Sequence, residues 1–379
     1  MSAPLDLLVE DAAGRAGALV PLGIKPRLRE LPQPDAVVVL RFSALGDVLL
    51  SSPAIEALRR AWPETRIVYA VKERLASLLA GNPDVTEVLA LGEHEGAVGF
   101  ALRLRRLLAG AKTVGVLDLH GKIRSLLIRS LLPRSWRRVV WHKRDFGDTL
   151  PVKLGLRPWR AGMLFADRYH AAVEELVGRR LPRGRLRAFV APADVERASD
   201  ILRRAGIDPA RPLVGLSPGA NWATKRWPVE YYAELAGMAL RAGLQVAVQG
   251  SEAERPLGAQ IAAAAPGVAD LTGQLDVAAL GGFTSLCAAV VANDSGPMHL
   301  ARALGVPTLA LFGSTDPEMF AWAGHRVLFT GIECAPCSFF GRRRCPRGHF
   351  KCMTEIGAPE AWRALEQLLR QGRAGPLGA

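Results

Sequence analysis

Short apolar runs alternate with longer stretches of helical spacing along most of the chain. Ala36 to Leu40 (AVVVL) is unbroken by polar residues, the pattern of a strand buried on both faces of a parallel sheet. It runs into Arg41-Phe42-Ser43-Ala44-Leu45-Gly46-Asp47 and then a predicted helix to about Ala61, with Val48, Leu49, Ile55 and Leu58 on its apolar side. Further strands are predicted over Arg66–Val71, Val85–Leu91, Thr113–Asp118 and Val139–Trp141, with helices around Leu102–Leu108 and Ile123–Leu132.

A second cycle follows a basic, proline-containing stretch, Gly178 to Arg187, which reads as a linker. Helices are predicted over Val195–Ala205, Val229–Arg241, Ala253–Ala264 and Val277–Cys287, and strands over Leu213–Leu216 and Leu244–Gln249. The stretch from Val290 to Pro317 then reads as strand, polar loop, helix, strand and second polar loop. A final helix, Pro359 to Arg370, can pack against either half. Strands alternating with helices predict α/β architecture, with two doubly wound halves and a cleft between them. Residues 1–34 lack firm periodicity and read as an N-terminal arm. Residues 35–182 form the first predicted domain and 188–379 the second.

Composition narrows the class. With 379 residues, 49% of them hydrophobic, the chain suffices for two domains with full cores. No apolar run reaches membrane-spanning length, and the first residues lack the basic start and apolar block of a secretory signal. Five cysteines, four of them late, do not suggest an oxidised secreted scaffold, so a cytoplasmic protein is expected. The net charge of +13 is uneven: twelve Lys and Arg stand between Gly99 and Gly147, opposed only by Asp118 and Asp145. Such a block suits an anionic membrane or acceptor, or simply solvates helix faces. No nucleic-acid motif accompanies it.

Candidate chemistry collects in loops that follow strands, the usual ligand position in open α/β sheets. Asp294, Ser295 and Gly296 open the helix after Val290–Ala292, where free N–H groups attract phosphate; a capped helix start is the plainer reading. His299 lies one turn in, either a core histidine or a phosphate contact. Lys225 and Arg226 precede a helix with Pro228 at its predicted first position, and cations there point to a bound anion. Asp47, beside Gly46, is either a first-turn carboxylate or a general base. Cys334, Cys337, Cys345 and Cys352 are spaced C-x2-C-x7-C-x6-C, open to zinc, a labile disulfide or reduced thiols. No G-x-G-x-x-G follows a predicted strand, which counts against a nicotinamide oxidoreductase.

Six segments in order, RFSALGDVLLSSPAIEALRRAWP, LDLHGKIRS, LSPGANWATKRWPVEYYAEL, QGSEAER, NDSGPMHLARALGVPTLALFGSTDP and CAPCSFFGRRRCPRGHFKCM, resemble glycosyltransferase family 9, in particular its heptosyltransferase II-like branch. They spread from Arg41 to Met353, across both predicted domains. The resemblance implies a GT-B fold, two Rossmann-like domains facing across a cleft. It also implies inverting transfer of heptose from ADP-heptose to the inner core of lipopolysaccharide. By resemblance Asp47 is the base. Thr224, Lys225, Asp294, Ser295, Gly296 and His299 hold the donor, with Glu254, or its neighbour Glu252, on the ribose. Lys122 and Arg124 open a predicted helix at a strand's carboxyl end and suit an anionic acceptor. No metal or other cofactor is implied, and no Asp-x-Asp metal signature occurs. The expected partners are the nucleotide sugar, a lipid-linked anionic saccharide and the cytoplasmic face of the inner membrane, with no nucleic acid. Transfer of another nucleotide-activated sugar, or nucleotide-sugar binding without catalysis, are the alternatives.

Overall fold

The computed structural model of the protein describes residues 30–141, 164–320 and 323–373. Most of the expected N-terminal arm, and Lys143 and Arg144 of the basic block, lie outside these residues. The described chain divides into two compact units, residues 30–141 with 164–189, and residues 190–373.

The first unit is built on five parallel strands: β1 (Ala36–Leu40), β2 (Arg66–Lys72), β3 (Glu87–Leu91), β4 (Val114–Asp118) and β5 (Arg137–Val140), in spatial order β3-β2-β1-β4-β5. Alternate residues of β1 feed opposite faces, as the twofold strand period requires. Val38 and Leu40 pack with Phe100, Leu104 and Ile128, carried by α3 (Ala97–Leu107) and α4 (Ile123–Ser130). On the other face lie α2 (Ser52–Ala61) and α5 (Phe165–Val177), which pack together. The helix expected to run unbroken to Ala61 is two helices, α1 (Leu45–Leu50) and α2. The break falls at Ser51, whose hydroxyl donates to the Val48 carbonyl at 2.7 Å. Pro53 follows inside the first turn of α2, where its missing N–H leaves no bond unmade.

Helix α5 has no counterpart among the predicted elements. The linker expected over Gly178–Arg187 is hydrogen-bonded along the first unit: Arg185 N–H donates to Glu56 Oε2 and Arg187 N–H to Ser52 Oγ. Gly184 runs so close to α2 that a Cβ there would lie 2.2 Å from the Pro53 carbonyl oxygen.

The second unit carries six parallel strands: β6 (Leu213–Ser217), β7 (Gln245–Val248), β8 (Ala269–Asp270), β9 (Ala289–Asn293), β10 (Thr308–Phe312) and β11 (Arg326–Phe329), in order β11-β10-β9-β6-β7-β8. One face is covered by α7 (Val229–Arg241), α8 (Arg255–Ala264) and the last helix, α12 (Ala358–Arg373), through Tyr232, Leu235, Ile261, Leu365 and Leu368. The last helix therefore belongs to the core of this unit. The other face meets α6 (Pro192–Arg204) and α9 (Val277–Leu286), with Gly215 of β6 against Phe283 and Cys287. The remaining helices are α10 (Gly296–Ala303) and α11 (Lys351–Thr354). Strand order reverses between β1 and β4 in one sheet and between β6 and β9 in the other. At such switch points the loops after neighbouring strands diverge to opposite faces and open a crevice.

Candidate active site

At the first switch point, Asp47 stands in the first turn of α1, seven residues beyond the end of β1. Its Oδ2 accepts from the Ala44 N–H at 3.1 Å and forms an ion pair with buried Arg41. Its Oδ1 accepts from the Tyr169 hydroxyl at 3.1 Å. Arg41 is fixed in turn, donating to the Leu119 carbonyl at 2.6 Å beyond β4 and lying over the Tyr169 ring. The first-turn carboxylate reading is thus realised, since Asp47 does accept from its helix start. Yet the side chain keeps 28% of its surface exposed, so it also faces solvent. Burial alone would raise its pKa; the Arg41 charge and the hydrogen bonds from Ala44 and Tyr169 outweigh that and hold it below the usual carboxylate range.

His120, two residues past β4, stands edge-on to Phe42 at 5.4 Å and is buried. Burial, then the charges of Arg41 and Lys122, push its pKa down to about 4, so it is neutral at physiological pH. Lys122 caps α4 and Arg124 lies in its first turn, both exposed, at the carboxyl end of the strand adjacent to β1.

At the second switch point, Asp294 follows β9 and pairs with Lys225 Nζ at 2.6 Å. Thr315, in the loop after β10, donates to the same Oδ2 at 2.7 Å. Burial would raise the Asp294 pKa, but Lys225, followed by His299, holds it below the usual range. Lys225 lies on a short 3-10 turn, Ala223–Lys225, and Pro228 caps α7 from outside rather than occupying its first position. The anion implied by Lys225 is met, within the protein, by Asp294. Asn293 ties the loops together: its Oδ1 accepts from Trp227 N–H at 3.1 Å and its amide donates to the Pro218 carbonyl at 2.7 Å. Ser295 caps α10, and its buried hydroxyl oxygen has no protein hydrogen-bond partner among the described residues. Gly296 and Pro297 begin the helix. His299 is buried, edge-on to Phe320 at 4.7 Å, with its Nδ1 3.3 Å from Arg302.

Glu254 and Glu252 separate clearly. Glu254 accepts from the Ser251 N–H at 2.7 Å, and a Cβ on Gly219 would lie 1.7 Å from its Oε1. Its carboxylate therefore rests on the loop after β6, beside the switch point. Glu252 points away into an exposed pair with Arg255. Thr224 is buried, its hydroxyl 2.9 Å from that of Ser314 and accepting from Arg342 N–H at 2.8 Å.

Arg342 belongs to the cysteine-rich segment, which sits on the same loops. Cys337 and Ser338 N–H groups donate to the Ser314 carbonyl, and Met353 packs against Gly313. All four late cysteines are free, with Cys334 Sγ 3.7 Å from His349 Nε2. Burial, then the neighbouring thiols, push Cys352 up to about 12. Among the described residues no group of three or more His, Cys, Asp or Glu is arranged to hold a metal ion. Arg41, Tyr169, His120, Asn293 and Arg342 were not singled out from the sequence. Arg41, His120, Asn293 and Arg342 each lie inside one of the six quoted segments, the signal available for them, whereas Tyr169 lies in none.

The sequence profile of glycosyltransferase family 9 (heptosyltransferase) matches residues 102–344. Among curated proteins, the chain is 29% identical over 321 residues to lipopolysaccharide heptosyltransferase 1 of Pseudomonas aeruginosa, covering 79% of this chain and 85% of that one. It is 27% identical over 299 residues to lipooligosaccharide heptosyltransferase 2 of Haemophilus influenzae, covering 74% and 84%. Among solved structures it superposes on a glycosyl transferase of family 9 from Veillonella parvula with TM-score 0.75 and 22% identity, over 90% of this chain and all of that one. That likeness and the two parallel sheets establish the GT-B fold.

Proposed function

This chain belongs to glycosyltransferase family 9, and on that premise we propose that it transfers heptose from ADP-heptose to the inner core of lipopolysaccharide, with inversion at the anomeric carbon. The names of both curated relatives support the reaction class. The acceptor is assigned to the N-terminal domain, residues 35–182, and the donor to the C-terminal domain, residues 188–379.

The observation that carries the mechanism is Asp47, a partly exposed carboxylate held ionised at a sheet switch point by Arg41, Ala44 and Tyr169. In the proposed step the acceptor hydroxyl oxygen attacks the anomeric carbon, and its proton passes to Asp47. The bond from that carbon to the diphosphate breaks, and ADP leaves with the electron pair. One carboxylate suffices, because inversion needs no enzyme nucleophile. Lys225, released in part from Asp294, and the N–H groups at the start of α10 meet the charge on the diphosphate. Ser295, Gly296 and His299 are assigned to the same diphosphate, and Glu254 to the ribose. Thr224 acts by fixing the turn that carries Lys225, since its hydroxyl is already engaged. Lys122 and Arg124 are assigned to the anionic acceptor.

Among the described residues no helix is long and apolar enough to cross a membrane. The basic block supports peripheral work on the cytoplasmic face of the inner membrane. The test is a panel of nucleotide sugars with an inner-core acceptor. ADP-heptose should be used in preference to the rest, and preference for another sugar would replace the donor assignment.

A further inference from the structure

Among the described residues seven large hydrophobic side chains are exposed, and six stand together: Val98 and Leu102 on α3, and Ile123, Leu126, Leu127 and Leu131 on or directly after α4. Their burial would be expected of a solvated surface helix, yet Ile123 is 77% exposed, Leu126 52% and Leu127 50%. Helices α3 and α4 lie side by side, so the two stripes share one surface. Val98, Leu102 and Arg105 recur at helical spacing on α3, and Ile123 and Leu127 do so on α4. Ser125 and Ile128 of α4 and Phe100 and Leu104 of α3 fill the core beneath, so the exposed leucines are surplus to folding.

Exposed cations border this surface: Arg105, Arg106, Lys122, Arg124 and Arg134. Arg103 and Arg129, by contrast, are tied to Glu95 and Asp118. An aliphatic face ringed by cations matches the interface of an anionic bilayer, where apolar side chains enter the acyl boundary and cations meet headgroups. A protein partner would be expected to bring acidic groups and leave aromatic anchors, and this surface carries none of the latter. We propose that the α3/α4 face docks the N-terminal unit onto an anionic lipid bilayer. The proposal deepens, and rests on, the reading that the acceptor is a membrane-anchored saccharide.

The test sediments the full chain with phosphatidylcholine vesicles and with vesicles containing phosphatidylglycerol. Wild type should bind the anionic vesicles at least tenfold better than the neutral ones, and less well as salt rises. Leu126→Gln with Leu127→Gln should lower that binding at least tenfold, and Arg105→Gln with Arg106→Gln should lower it while flattening the salt dependence. Both pairs are exposed, so melting temperature and ADP affinity should stay at wild-type values. Transfer to a lipid-free core saccharide should also be unchanged in the leucine variant, while transfer to the same saccharide embedded in vesicles falls. Vesicle binding by the leucine variant equal to wild type overturns the proposal, as does wild-type indifference to anionic lipid. A wild-type dimer that the leucine variant dissolves, with vesicle binding intact, overturns it in favour of contact between copies. If wild type glycosylates neither acceptor, the reaction assignment fails, and the sedimentation result still judges the face on its own.

Discussion

Asp47 accepts hydrogen bonds through both oxygens and pairs with a buried guanidinium, so it is ionised well into the acid range. Replacing it with Ala or Asn should slow transfer by roughly two to four orders of magnitude while ADP affinity holds, as single-turnover rates and calorimetry would show. Tyr169→Phe removes a donor to the charged form, so the acid limb of the rate profile should move to higher pH. His120 is neutral above about pH 4 and should contribute no limb near neutrality. Asp47 and Asp294 both have folded pKa values below their unfolded ones. Their contribution to stability is therefore complete above the ordinary carboxylate value near 3.8 and lost as pH falls through the lower folded values. Lys225→Ala should weaken ADP binding by about tenfold or more, ~1.4 kcal/mol, and slow transfer. Gly219→Ala should displace the flexible Glu254 carboxylate and mimic Glu254→Ala in ADP titrations, with an unchanged melting temperature. Asp47, Lys225, Asp294 and His299 were legible because each is a polar residue in the loop or the helix start that follows a strand. Tyr169 was not, because its contact with Asp47 spans 122 residues and no local pattern encodes it.

Most strands were legible as elements because apolar runs buried on both faces need no alternation to betray them. The short strands β8 and β11 escaped, being two and four residues long at the sheet edges. Helix α5 was lost for a different reason. Phe165, Tyr169, Val173, Leu176 and Val177 mark its buried side, but the helix lies directly before the basic, proline-containing stretch Gly178–Arg187, and the segment leading into that stretch carries no predicted strand beside it to pair with. That omission hid the Tyr169 contact as well. The packing of α6 on α9 depends on a position that sequence alone leaves mute. A Cβ on Gly282 would fall 2.2 Å from the Asp194 carbonyl oxygen, so the helices meet through backbone. Gly282→Val should part them and cost about 1–3 kcal/mol in denaturant unfolding, whereas the same change at exposed Gly110 should cost far less.

At the scale of the whole chain, each sheet reverses its strand order once, and each reversal collects one half of the proposed chemistry. The first gathers the proposed base, Asp47, with its counter-ion Arg41, and the second gathers Lys225, the start of α10 and Glu254, which are proposed to hold the sugar nucleotide. Two doubly wound halves were legible from the alternation of strands and helices, and the reaction from six ordered segments. The amphipathic surface on α3 and α4 was visible only as charge, because exposure of the leucines depends on which helix faces the core occupies. The account meets its most direct test in one measurement, the mass of an inner-core acceptor after incubation with ADP-heptose and the purified chain. It predicts a gain of one heptosyl residue with release of one ADP, abolished in the Asp47→Asn protein that still binds ADP. An acceptor of unchanged mass, or equal transfer by the Asp47→Asn protein, would contradict it.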